Sequence, residues 1–144
     1  MSAPPPPGRP VLVVMSDLLF RSKIDEVARR LGLELRAARS LEQLDRHLAT
    51  VDPCVAFVDL ETDALDPAAA IHRILERSAA RGGSEARAAT RIIGFSGHTN
   101  MEAIRAGRDA GASVVLARSA LSAQLPQLLE RVAAEQTGGP DPSA

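Results

Sequence analysis

Five short apolar runs alternate with amphipathic stretches along this chain, and that alternation leaves few architectures open. PVLVVM (10–15), LELRAA (33–38), CVAFVD (54–59), RIIGFS (91–96) and SVVLA (113–117) read as strands. Between them lie segments of helical period. Residues 20–32 put Ile24, Val27, Ala28 and Leu31 on one face, and Gly32 ends the segment. Ser40 caps a second helix through Leu41, Leu44 and Leu48. A third covers 67–80 with Ile71, Ile74 and Leu75 inward. A fourth, 100–110, centres on Met101 and Ile104 and stops at Gly111. Leu121, Leu125, Leu128, Leu129 and Val132 mark the last. Pro126 is expected in its first turn, the one place where a missing N–H costs nothing. Strict alternation of strand and helix implies a parallel sheet covered on both faces. The three continuous apolar runs suit its central strands.

Residues 9–136 form the expected folded unit. Residues 1–8 are a proline-rich tail, and 137–144, TGGPDPSA, are turn formers; neither can pack a core, so both are expected to be disordered. Seventeen Lys+Arg balance eighteen Asp+Glu, which argues against a dedicated nucleic-acid binder. The aromatics are Phe20, Phe57 and Phe95, so there is no platform for stacking bases. A single cysteine, Cys54, excludes an internal disulfide and reads as a small core residue. No run is long enough to span a membrane and no secretory signal opens the chain, so a cytoplasmic location without membrane insertion is expected. GFSGH (94–98) lacks the second glycine of a nucleophile elbow, and no G-x-G-x-x-G or Walker A motif follows the first strand. Enzymatic activity is not expected.

Open parallel sheets gather their chemistry at the carboxyl ends of the strands. Those ends carry Met15, Ser16 and Asp17; Asp59, Leu60 and Glu61; Ser96, Gly97 and His98; and Ala117 with Arg118. A carboxylate, a hydroxyl and a cation at one edge can bind a phosphoryl group or another oxyanion.

VLVV, VAFVDLE, IIGFSG and GASVVLARS, in this order and spacing, resemble a response-regulator receiver (CheY-like) domain across nearly all of 9–136. The resemblance implies a flavodoxin-like (βα)5 fold with strand order 2-1-3-4-5. It implies that Asp59 is the phosphoacceptor position, that Ser96 is the switch hydroxyl, and that Arg118 stands where the family has a lysine. Gly111 and Ala112 match the Gly-Ala before the fifth strand. The departures are larger. The family's acidic pair after the first strand, which holds Mg²⁺, falls on Met15 and Ser16, and Asp17 comes one residue later. The proline after the lysine is Ser119, and the switch aromatic is Val115. A thioether and a neutral hydroxyl are poor Mg²⁺ ligands. The expected protein is therefore a degenerate receiver, or pseudo-receiver. It would act as a stand-alone protein–protein interaction module in bacterial signal transduction or cell organisation, without a cofactor. Two alternatives stand beside it. One is a phosphorelay receiver phosphorylated on Asp59, with Asp17, Asp59 and Glu61 helping to hold Mg²⁺. The other is a flavodoxin-like domain that binds a small molecule at the same edge.

By the same resemblance the partner surface is the fourth helix, fifth strand and fifth helix. It includes Ala103, Arg105, Ala106, Val115, Ala117 and the outer side of 121–134; a homodimer is compatible with it. Arg77, Arg81, Arg87 and Arg91 lie in a long connection, 77–91, that is either a solvated insertion or a docking loop for an acidic partner. His47 and His72 read as surface residues. His98 is either a pH-sensitive group or an exposed loop residue.

Overall fold

The structure, a computed structural model, describes residues 9–82 and 89–136. The two tails and residue Arg87 of the arginine-rich connection lie outside the described residues. Ten elements alternate: β1 (Val11–Val14), α1 (Leu18–Arg30), β2 (Leu35–Ala38), α2 (Leu41–Thr50), β3 (Val55–Asp59), α3 (Pro67–Ala80), β4 (Arg91–Ser96), α4 (Met101–Ala110), β5 (Val114–Ala117) and α5 (Arg118–Gln136). The five strands are parallel in the order β2-β1-β3-β4-β5, the flavodoxin-like order expected.

The pleat splits the apolar runs between two cores, because successive side chains point to opposite faces. Val11, Val13, Phe57, Ile93 and Phe95 face one side, under Ile24 and Val27 of α1 and Leu121, Leu125 and Leu129 of α5. Leu12, Val14, Ala56, Val58 and Ile92 face the other, under Leu44 and Leu48 of α2 and Ile71 and Ile74 of α3. Burial on both faces explains why β1 and β3 read as unbroken apolar runs.

Asp17, Ser40, Asp66 and Asn100 cap α1 to α4 by accepting a backbone N–H in the first turn. The Asp17 cap starts α1 at Leu18 rather than at residue 20. Three sequence expectations are corrected here. Pro126 lies well inside α5, which begins directly at Arg118 with no intervening loop. Met101 is 61% exposed, and α4 instead buries Gly107 and Ala110. His47 is half-buried, with Nε2 at 2.9 Å from the Ala37 carbonyl, so it ties α2 to β2. His72 is exposed as expected, and Cys54 packs half-buried against the α1–α5 core just before β3.

The arginine-rich connection is partly structural. Arg81 donates to the carbonyls of Leu48 and Val51 and pairs with Asp52 at 3.3 Å; Arg77 donates to the Leu48 carbonyl. Two of the four arginines offered to an acidic partner thus bond to the end of α2, Arg77 while still exposed and Arg81 half-buried. Arg91 is exposed at the start of β4.

Candidate functional site

Asp17 and Asp59, 42 positions apart in sequence, meet at Arg118 on the carboxyl edge of the sheet. Asp59 ends β3 and is only 4% exposed. Its Oδ1 accepts the Glu61 N–H at 2.9 Å, and its Oδ2 lies 3.5 Å from Arg118 Nη2. The second arm of the same guanidinium, Nη1, donates to Asp17 Oδ2 at 3.1 Å. Asp17 Oδ1 is already taken by the Phe20 N–H of its own helix cap. The guanidinium stacks over Phe20 and Phe95, 5.3 and 5.1 Å from the ring centroids, and the two rings stack on each other at 5.0 Å. Arg118 is therefore held by two carboxylates and by an aromatic floor.

Burial pushes the Asp59 carboxyl above its ordinary range, and this outweighs the lowering by the Glu61 N–H and by Arg118. Glu61 behaves oppositely. Its carboxylate accepts Asn100 Nδ2 at 2.9 Å and the Gly97 N–H, and these bonds hold it below its usual value. Asn100 in turn caps α4 through Ala103 N–H at 3.0 Å. Glu61 so links the loop after β3 to the loop after β4.

The other expected site residues are placed as follows. Ser96 is fully buried and donates to the Gly97 carbonyl at 3.1 Å. Met15 is buried in the α1–α5 core. The Ser16 hydroxyl pairs with Thr62 at 3.2 Å. His98 is exposed beside the site. Ala103, Val115 and Ala117 are half-buried, while Arg105 and Ala106 are exposed; Val115 packs partly into the core, and its neighbour Val114 is the exposed one at 41%. Sequence reasoning missed Phe20, Phe95, Thr62 and Asn100. Only the Asx-capping pattern of Asn100 was legible in advance.

Mg²⁺ needs near-octahedral oxygen ligation. Asp17 is divided between its cap and Arg118, and Glu61 is turned to α4. Ser16 is paired with Thr62. Among the described residues no group of three or more His, Cys, Asp or Glu side chains is arranged to hold a metal. The residues present do not fit the ion that the resemblance implies.

The sequence matches no family model and no curated protein significantly. Solved structures do match in fold. NtrX from Brucella abortus superposes with a TM-score of 0.68 at 18% identity, over 90% of this chain and 28% of that one. A CheY-like receiver domain protein from Methanospirillum hungatei gives 0.66 at 15% identity, over 90% and 97%. The receiver domain of a sensor histidine kinase from Pseudomonas aeruginosa, with a magnesium ion coordinated in its active-site cleft, gives 0.68 at 20%, over 88% and 98%. The chain spans little more than a quarter of the first of these and nearly the whole of the other two. With its strand order, its two helical layers and its acidic residue at the end of β3, this chain has the fold of a response-regulator receiver domain.

Proposed function

We propose that this receiver-fold domain serves signalling as a non-enzymatic protein-interaction module, with Asp59 held in a standing ion pair in place of Mg²⁺-dependent phosphorylation. The observation that carries this reading is Arg118 bridging Asp17 and Asp59 over the Phe20–Phe95 stack. Phosphoryl transfer to a carboxylate needs a metal to neutralise the charge on the phosphoryl oxygens. Here both carboxylates face an arginine. With one arm on each carboxylate, the guanidinium fixes one arrangement of the site. Signalling by association then falls to the exposed surface of α4, β5 and α5. Arg105, Ala106, Met101 and Val114 are its accessible members, with Ala103, Val115 and Ala117 behind them. No helix among the described residues is long and apolar enough to cross a membrane.

The test is a titration with Mg²⁺ and beryllofluoride, a phosphoryl mimic on aspartate, followed by amide NMR. Up to ~10 mM Mg²⁺, far above what an all-carboxylate site requires, the Asp59, Ser96 and Arg118 amides are expected to shift no more than remote ones. Saturable shifts at those three amides that vanish in Asp59→Asn would establish a phosphorelay receiver instead.

A further inference from the structure

Above the Arg118 bridge, the carboxyl edge of the sheet carries a cavity of about 560 Å³. It lies between the start of α1, the loop after β4 and the start of α5. That volume suits a compact organic molecule. Phe20, Leu19 and Ala117 make its lining largely apolar, and Leu19 is 86% exposed at its border.

Lys23, Arg118, Ser119, Ser122 and His98 bring donors to the lining, against one carboxylate, Asp17. Asp17 lines the cavity, but its two oxygens are engaged by the Phe20 N–H and by Arg118. Lys23 of α1 donates to the Ser122 hydroxyl of α5. Lys23 forms no ion pair among the described residues. An ammonium has three N–H donors, so two remain after that bond. A serine oxygen that accepts from lysine has its own proton left to donate. The pair therefore offers donors to a group that only accepts. Arg118 adds a planar face already stacked on Phe20 and Phe95, the kind of surface on which a flat ring packs.

We infer that this cavity binds a small aromatic monocarboxylate. Its ring lies against Leu19 and the Arg118 guanidinium, and its carboxylate accepts from Lys23 Nζ and the Ser122 hydroxyl. Such a ligand bridges α1 and α5 and gives the module a chemical input that bypasses Asp59. The inference stands on the cavity and does not depend on how Asp59 behaves toward Mg²⁺.

The test uses the full chain and two probes, naphthoate and its neutral carboxamide, titrated under amide NMR. Naphthoate is expected to give saturable shifts centred on Leu19, Lys23, Ser119 and Ser122. It should bind about tenfold tighter than the carboxamide, the usual advantage of a charge-assisted hydrogen bond. Lys23→Gln is expected to erase that preference; Lys23 is exposed, so an unchanged thermal transition will show that the variant is folded. Ser122→Tyr, which fills the α5 side, should abolish binding of both probes. Equal affinity for acid and amide, an unchanged preference in Lys23→Gln, or unsaturable shifts scattered over the surface would each overturn the inference. The beryllofluoride response is read at Asp59 and this one at Lys23 and Ser122, so either can fail alone.

Discussion

Asp59 is a carboxylate whose environment works against its charge. Burial raises its pKa despite Arg118 and the Glu61 N–H. The folded chain then holds this proton more tightly than the unfolded chain, whose aspartates titrate near ~3.9. Stability therefore falls as pH rises from that value through the folded pKa, and levels off above it. Asp59→Asn keeps an acceptor for the Glu61 N–H and removes the charge. It should raise stability at neutral pH and flatten the pH dependence, as urea unfolding across the acid-to-neutral range will show. A loss of stability at neutral pH would mean that the Arg118 pair outweighs desolvation.

At the scale of elements, α4 is held by a contact that its own hydropathy does not announce. Leu60, the residue after Asp59, sits between Gly94 of β4 and Gly107 of α4. A Cβ at Gly107 would lie 2.7 Å from Leu60 Cδ1, and one at Gly94 would lie 3.0 Å from it. Leu60 is buried, so it has little room to give. Gly107→Ala should cost about 1–3 kcal/mol by overpacking, although alanine favours a helix by about 1 kcal/mol. In a Leu60→Ala background, itself about 2–5 kcal/mol less stable, the same change should become stabilising. A double-mutant cycle reads that change of sign. This contact is why Met101 misled: the buried face of α4 carries the small residues Gly107 and Ala110. α5 carries a different cost. Pro126 removes the N–H that would bond the Ser122 carbonyl four residues back. Pro126 is exposed, so Pro126→Ala should stabilise the chain by up to about 3 kcal/mol, seen as a raised Tm. The sequence rule that places proline in a first turn fails because α5 begins at Arg118, earlier than its leucines suggest.

The whole molecule is closed at the end opposite the site by a network that spans distant segments. Arg9 pairs with Asp52 at 3.2 Å and donates to the Pro53 carbonyl; Arg81 reaches Asp52 and the last carbonyls of α2. Thr90 donates to the Pro53 carbonyl at 2.7 Å and takes the Ser78 hydroxyl on its N–H. The entry to β1, the turn before β3, the end of α3 and the approach to β4 are joined there. Arg81→Ala leaves half-buried carbonyls without their donor and should cost about 1–3 kcal/mol. Hydrogen exchange should show the loss first at the end of α2. An unchanged transition would reduce the network to solvent-exposed pairing.

The sequence alone determined the βα alternation, the parallel sheet, the helical faces of α1 to α3 and the strand-end position of Asp59. Those follow from local periodicity, which a side chain's polarity and spacing carry without reference to distant residues. The resemblance to receiver domains set Met15 and Ser16 where that family keeps its acidic pair, and residue type alone makes a thioether and a neutral hydroxyl poor Mg²⁺ ligands. Only the tertiary structure decided where Arg118 points. Its partners Asp17 and Asp59 lie 101 and 59 residues away, and its aromatic floor comes from α1 and β4. A guanidinium on a flexible stem is placed by packing rather than by its neighbours in sequence, so the bridge, the inward turn of Arg81 and the Leu60 wedge became visible only when the sheet brought their elements together.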